Sequence, residues 1–142
     1  MIWLLRHGDA EEEGDDDARR LTPEGEQQGR NAGRALVALR AELDTCLSSP
    51  KVRAVVMARL ACEPLGLAVE TAEELAGGDF DPLDLAAGHG NVLLVAHEPD
   101  LSTAIARLTG ARVAMKKGAL AAIDDGELIA FLRPPDLAAI AD

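Results

Sequence analysis

Leu4-Leu5-Arg6-His7-Gly8-Asp9-Ala10 ends the apolar run Met1-Ile2-Trp3-Leu4-Leu5 that opens this 142-residue chain. A short uninterrupted apolar run bounded by polar residues predicts a strand buried on both faces, Ile2–Leu5. That strand delivers a cation, an imidazole and a residue without a side chain at its carboxyl end. Two further runs of strand length do something similar. Thr45–Leu47 leads into Ser48-Ser49-Pro50 and then Arg53, and Val92–Ala96 leads into His97-Glu98-Pro99. In open parallel α/β sheets, ligands bind beyond the carboxyl ends of the strands. The spacing therefore predicts that Arg6, His7, Arg53 and His97 converge on one edge.

Each run is followed by a helical pattern, which implies an α/β fold with a mainly parallel sheet. The clearest helix spans Pro23 to about Leu43, with Thr22 as its cap and Pro23 at its first position. At 100° per residue, Gly25, Gly29, Ala32, Leu36, Leu39 and Leu43 share one stripe, opposite Arg30, Asn31 and Arg34. The glycines on that stripe are expected to let the helix approach the sheet closely. A second helix is expected from Ser49-Pro50 to about Cys62, and a third from near Pro99 to Leu108. The Gly-, Asp- and Pro-rich stretch Ala76–Gly90 reads as loop plus a short helix. Near the end, Asp124-Asp125-Gly126 between two apolar runs signals a hairpin. The expected architecture is a three-layer αβα sandwich, its mixed sheet mainly parallel with an antiparallel edge, in a single domain over residues 1–142.

Composition narrows the function classes. Apolar residues at 48% and charged residues at 27% are the balance of a globular protein. A net charge of −11 argues against nucleic acid as a general partner, though it leaves room for one local phosphate site. No apolar run is long enough to span a membrane, and the opening residues lack the pattern of a signal peptide, so the expectation is a cytoplasmic protein; it is expected to be a monomer. Cys46 and Cys62 read as reduced core residues. No metal is expected: no Cys or His cluster has zinc spacing, and the acidic run Glu11–Asp17 reads as a solvated loop. His89, between two glycines, reads as a turn residue.

Two arginines beside two histidines repel one another unless an anion joins them. A phosphoryl group suits them, because guanidinium forks match its oxygens in pairs. A glycine at position 8 leaves room for a tetrahedral group near the backbone. A histidine among such cations can attack phosphorus and form a covalent intermediate.

The motifs LLRHGDA, RRLTPEGEQQG, SSPKVRA, VLLVAHEPDLS and KKGALAAI, in that order from Met1 to about Ile123, resemble those of the histidine phosphatase (phosphoglycerate-mutase-like) superfamily. The chain looks most like the short SixA-type phosphohistidine phosphatases. The resemblance implies that His7 accepts the phosphoryl group, that Arg6 and Arg53 clamp it, and that a protonated His97 donates a hydrogen bond to it. Gly8 and Arg19 become further phosphate ligands, with Arg20 competing for the role of Arg19. No cofactor or metal is implied. Two departures stand out: Val55-Val56-Met57 replaces the frequent Gln-Thr after Arg53-Ala54, and Ala96 and Glu98 flank His97 where Gly and Asn are usual. The first is expected to alter helix packing.

Superfamily members acting on phosphate monoesters usually carry a Glu or Asp general acid after the second βα unit. Here Glu73–Asp81 lacks the expected Leu-x-Glu pattern, leaving Asp79 and Asp81 as nearby candidates. An alkoxide leaving group needs a proton donor, whereas phosphohistidine leaves as a neutral imidazole. The expected substrate is therefore a phosphohistidine-containing protein. A small phosphorylated molecule hydrolysed by a phosphomonoesterase, or a non-catalytic phosphohistidine-binding module, are the alternatives.

Overall fold

The computed structural model describes residues 1–142. Its strands are β1 (Ile2–Arg6), β2 (Thr45–Ser48), β3 (Val69–Thr71), β4 (Val92–Ala96), β5 (Leu120–Asp124) and β6 (Glu127–Leu132). Its α-helices are α1 (Pro23–Ala38), α2 (Val52–Cys62), α3 (Pro82–Ala86), α4 (Asp100–Thr109) and α5 (Pro134–Ala141). The strands form one sheet in the order β3-β2-β4-β1-β5-β6. The first four are parallel, and β5 and β6 continue it as an antiparallel hairpin. The mixed sheet with its antiparallel edge is as expected, as is the helix on each face.

Side chains alternate along each strand, so the sheet feeds two cores. Trp3, Leu5, Cys46, Leu93, Val95 and Leu120 face α1, α2 and α5 through Leu36, Met57 and Leu137. Ile2, Leu4, Leu47, Val92 and Leu94 face the other way, toward Leu101 and Ile105 of α4. Leu85 and Ala86 of α3 pack on that second core. Cys46 and Cys62 are free and buried. No helix is long and apolar enough to cross a membrane.

The local chemistry of α1 follows its sequence at the start and departs from it at the end. Thr22 Oγ1 accepts from Gly25 N at 3.1 Å, and Pro23 occupies the first turn. The helix stops at Ala38, short of the expected Leu43, because Arg40 takes a left-handed conformation at φ 57°. Leu39 consequently lies on the surface at 42% exposure, while Leu43 packs at the rim of the first core. Gly29 of the glycine stripe, and Gly33 beside that stripe, serve a different contact from the one expected, while Gly25 packs on the Asp9 backbone after β1. A Cβ on Gly33 would meet the Ala61 carbonyl at 2.7 Å, and one on Gly29 would press on Leu60 and Met57. These glycines bring α1 against α2, not against the sheet. Met57, in the segment that departs from the family pattern, is a fully buried part of this helix contact.

Strand β3 and helix α5 extend the expected element set. β3 adds a parallel edge beside β2, and α5 caps the first core. α2 begins at Val52, two to three residues later than expected, with Lys51 as its N-cap residue.

Candidate active site

Register places the polar strand ends side by side. β4 lies between β1 and β2, with Arg6 opposite Ala96 and Ser48 opposite Val95. The residues that follow, His7, Ser49 and His97, leave the sheet together at one edge. Backbone bonds hold them there: His7 N donates to Ala96 O, Ser49 N to Val95 O, and Gly118 N to His7 O. Arg53 joins them from the first turn of α2. His7, Arg53 and His97 are only 5–6% exposed, so the cluster is a buried one.

The His7 ring is oriented by its own loop. Nδ1 lies 2.8 Å from the Gly8 carbonyl oxygen, which can only accept, so Nδ1 carries the proton. Nε2 is left with its lone pair and accepts from Arg53 Nε at 3.3 Å. The His97 ring lies 5.2 Å away, centroid to centroid, tilted by 56°. Its Nε2 is 2.7 Å from Ser49 Oγ. Arg6 reaches the far side and donates through Nη1 to Met115 O at 2.9 Å. Two buried polar atoms have no partner: Arg6 Nε and His97 Nδ1.

Burial, with Arg53, Arg6 and Lys117 nearby, pushes the His7 pKa down to about 4 against the opposing pull of the Gly8 bond. Burial, His7, Arg53 and Lys51 together push His97 down to about 3. Both shifts favour neutral rings in the free protein at neutral pH, where the resemblance implies a protonated His97.

Gly8 is needed here for a reason other than room at the site. A Cβ there would stand 2.7 Å from both the Gly25 carbonyl and Gln28 Oε1. The constraint comes from α1 packing on the loop after β1. Gln28 also accepts from Asp9 N, which fixes that loop.

The acidic loop is exposed, as expected, except that one of its side chains, Asp16, is engaged by the site. Asp16 Oδ1 accepts from Arg19 Nη2 at 2.7 Å and Arg53 Nη2 at 3.2 Å, and its Oδ2 from Lys51 Nζ. Arg53 Nη1 donates to the Asp16 carbonyl at 2.6 Å. The Lys51 and Arg19 bonds hold the Asp16 carboxyl well below the usual carboxylate range. Arg19 thus sits at the rim, bonded to Asp16 and to the Glu11 carbonyl, while Arg20 is exposed. Asp81 caps α3 through Leu83 N, and Asp79 pairs with Arg107. Glu98 accepts from Ser102 N and so caps α4.

The family model for the histidine phosphatase superfamily (branch 1) matches residues 2–85, more than half of the chain. The chain belongs to the histidine phosphatase superfamily. The match takes in Arg6, His7 and Arg53 and stops before His97, whose place in the cluster rests on the register of β4. Among solved structures, the protein histidine phosphatase SixA complexed with tungstate is 25% identical, with a TM-score of 0.82 over 96% of this chain and 98% of that one. A SixA-type protein of Agrobacterium tumefaciens is 22% identical, with a TM-score of 0.81 over 94% and 97%. The α-ribazole phosphatase of Shigella flexneri is 21% identical, with a TM-score of 0.66 over 89% and 92%. No curated protein matches the sequence.

Against this superfamily background, Asp16, Lys51 and Ser49 are the site residues that the sequence reading did not assign. Asp16 sits among five other acidic residues between Glu11 and Asp17, and nothing local sets it apart from its solvated neighbours. Ser49 stands in a motif that marks it, but its partner is 48 residues away.

Proposed function

We propose that this histidine phosphatase hydrolyses phosphohistidine, the N–P bond of a phosphorylated protein, through a phosphoryl group carried on His7 Nε2. The observation that carries the reading is the pair of buried polar atoms without partners, Arg6 Nε and His97 Nδ1, beside a histidine whose Nε2 lone pair faces a guanidinium. A tetrahedral oxyanion would supply the missing acceptors.

In the first step, His7 Nε2 bonds to phosphorus while the substrate P–N bond breaks. The electron pair of that bond leaves on the substrate imidazole, which departs neutral because its other nitrogen carries a proton. Arg53 Nε–H moves from His7 to a phosphoryl oxygen, and Arg6 Nε–H meets another, so charge developing on the oxygens is held by fixed cations. Water then attacks phosphorus, releases phosphate and restores neutral His7. Arg19 contributes to the anion field from the rim through Asp16.

The substrate class follows from the leaving group. Neither Asp79 nor Asp81 hydrogen-bonds any of these four side chains; each is committed elsewhere. With neither of these aspartates free to act as an acid, the arrangement suits a leaving group that needs no proton donor. That the similar SixA structure is a complex with tungstate is compatible with an oxyanion site in this chain. Because Arg6, Arg53 and the rim cations already supply positive charge, the proposal includes no metal. The deciding test is a panel of a phosphohistidine peptide, a phosphoserine peptide and sugar phosphates. Preference for phosphohistidine by about tenfold or more in kcat/KM is expected. Equal turnover of all would assign the site to phosphomonoesters as well, and binding without turnover would make it a recognition module.

A further inference from the structure

Ser49 closes a chain of hydrogen bonds that decides which nitrogen of His97 carries a proton. Ser49 is fully buried, its Oγ 3.2 Å from Lys51 N and 2.7 Å from His97 Nε2. The Lys51 amide can only donate, so Ser49 Oγ accepts from it. The hydroxyl hydrogen then has one acceptor in reach, His97 Nε2, and a buried hydroxyl left without an acceptor is destabilising.

With Nε2 accepting, neutral His97 holds its single N–H at Nδ1. Nδ1 is the buried atom without a partner. The opposite tautomer would leave the Ser49 hydrogen without an acceptor and turn a bare lone pair toward any oxyanion at the site. We propose that Ser49 is a positioning residue that locks His97 as the Nδ1–H tautomer, the one able to donate to a phosphoryl oxygen brought to His7. This rests on the phosphoryl-transfer reading above. The low pKa of His97 makes the choice of tautomer matter, since a neutral ring has only one N–H to direct.

The experiment is long-range 1H–15N correlation NMR of the ring nitrogens in the full-length free protein at neutral pH. With three histidines in the chain, assignment follows from single substitutions. The expected wild-type pattern is a protonated Nδ1 and an unprotonated Nε2 on His97. Ser49→Ala should give a mixture of tautomers and lower kcat by about tenfold to a hundredfold with KM changed far less. Ser49→Thr, which keeps the hydroxyl, should restore both.

An Nε2–H tautomer in an active wild-type protein would overturn the inference and leave the functional reading standing. So would Ser49→Ala with wild-type tautomer or wild-type kcat. A wild-type protein inactive on every phosphorylated substrate, yet showing the Nδ1–H tautomer, would instead sink the functional reading.

Discussion

Arg53 Nε stands 3.3 Å from His7 Nε2, on the ring edge opposite the Nδ1–H that is bonded to the Gly8 carbonyl. The cation therefore faces the nitrogen that would bond to phosphorus. An arriving phosphoryl oxygen lies in the path of that N–H and can take it over without reorienting the guanidinium. Arg53→Ala is expected to lower kcat by about 10²–10³-fold. Arg53→Lys keeps the charge but loses the fork and should recover only part of the rate. Steady-state kinetics on a phosphohistidine peptide check both, and a loss confined to KM would show that Arg53 serves ground-state binding instead.

Asp16 holds Arg53 by two bonds, through its carbonyl and its carboxylate, and shares that carboxylate with Lys51 and Arg19. It is half exposed and fills no part of either core, so its removal should leave the melting temperature nearly unchanged. Asp16→Ala is expected to lower kcat roughly tenfold by loosening the guanidinium, with Asp16→Asn intermediate. Wild-type kcat in Asp16→Ala would mean that α2 alone orients Arg53.

The low pKa values of His7 and His97 set the pH response. An unfolded histidine titrates near 6.5, and these fold with values of about 4 and about 3. Between those limits the unfolded chain binds more protons than the native one. The stability they contribute is therefore fully present above pH 6.5 and is lost as pH falls through that value toward 4 and 3. Catalysis should be more acid-tolerant than the usual histidine value suggests, with the enzyme's acid limb of kcat/KM near 4. Chemical denaturation and kcat/KM across pH 4–7 test the two halves; an enzyme limb near 6.5 would show that His7 is not desolvated.

Oxyanions should stabilise the fold by mass action. Phosphate or tungstate at one hundred times its Kd adds about 2.7 kcal/mol, a shift of several degrees for a domain of this size. Arg6→Ala removes one of the unpartnered donors and should weaken that shift. A melting temperature indifferent to saturating tungstate would argue against an anion site.

The parts of this site legible in the sequence are those written into local pattern. The apolar runs of β1 and β4 and the polar residues at their ends marked both histidines. The proline and threonine at the start of α1 marked its cap. β3 escaped because its three residues are mostly exposed and carry no apolar run. The end of α1 escaped because Leu39 and Leu43 continue the helical stripe, and only the left-handed Arg40 breaks it. The lowered pKa of His97 follows from burial, from His7 and from Arg53 and Lys51 at the start of α2, which no spacing encodes. Asp16 escaped for a similar reason, since its partners come from Lys51 and Arg53, both more than 30 residues away.

The central claim, covalent phosphoryl transfer to His7 Nε2 without a metal, is tested most directly by rapid-quench trapping with labelled phosphohistidine peptide in the presence of EDTA. The account predicts label on His7, acid-labile and alkali-stable, formed and consumed at the wild-type turnover rate and absent from His7→Ala. An active protein that never labels His7, or one whose activity vanishes with EDTA and returns with magnesium, would contradict it.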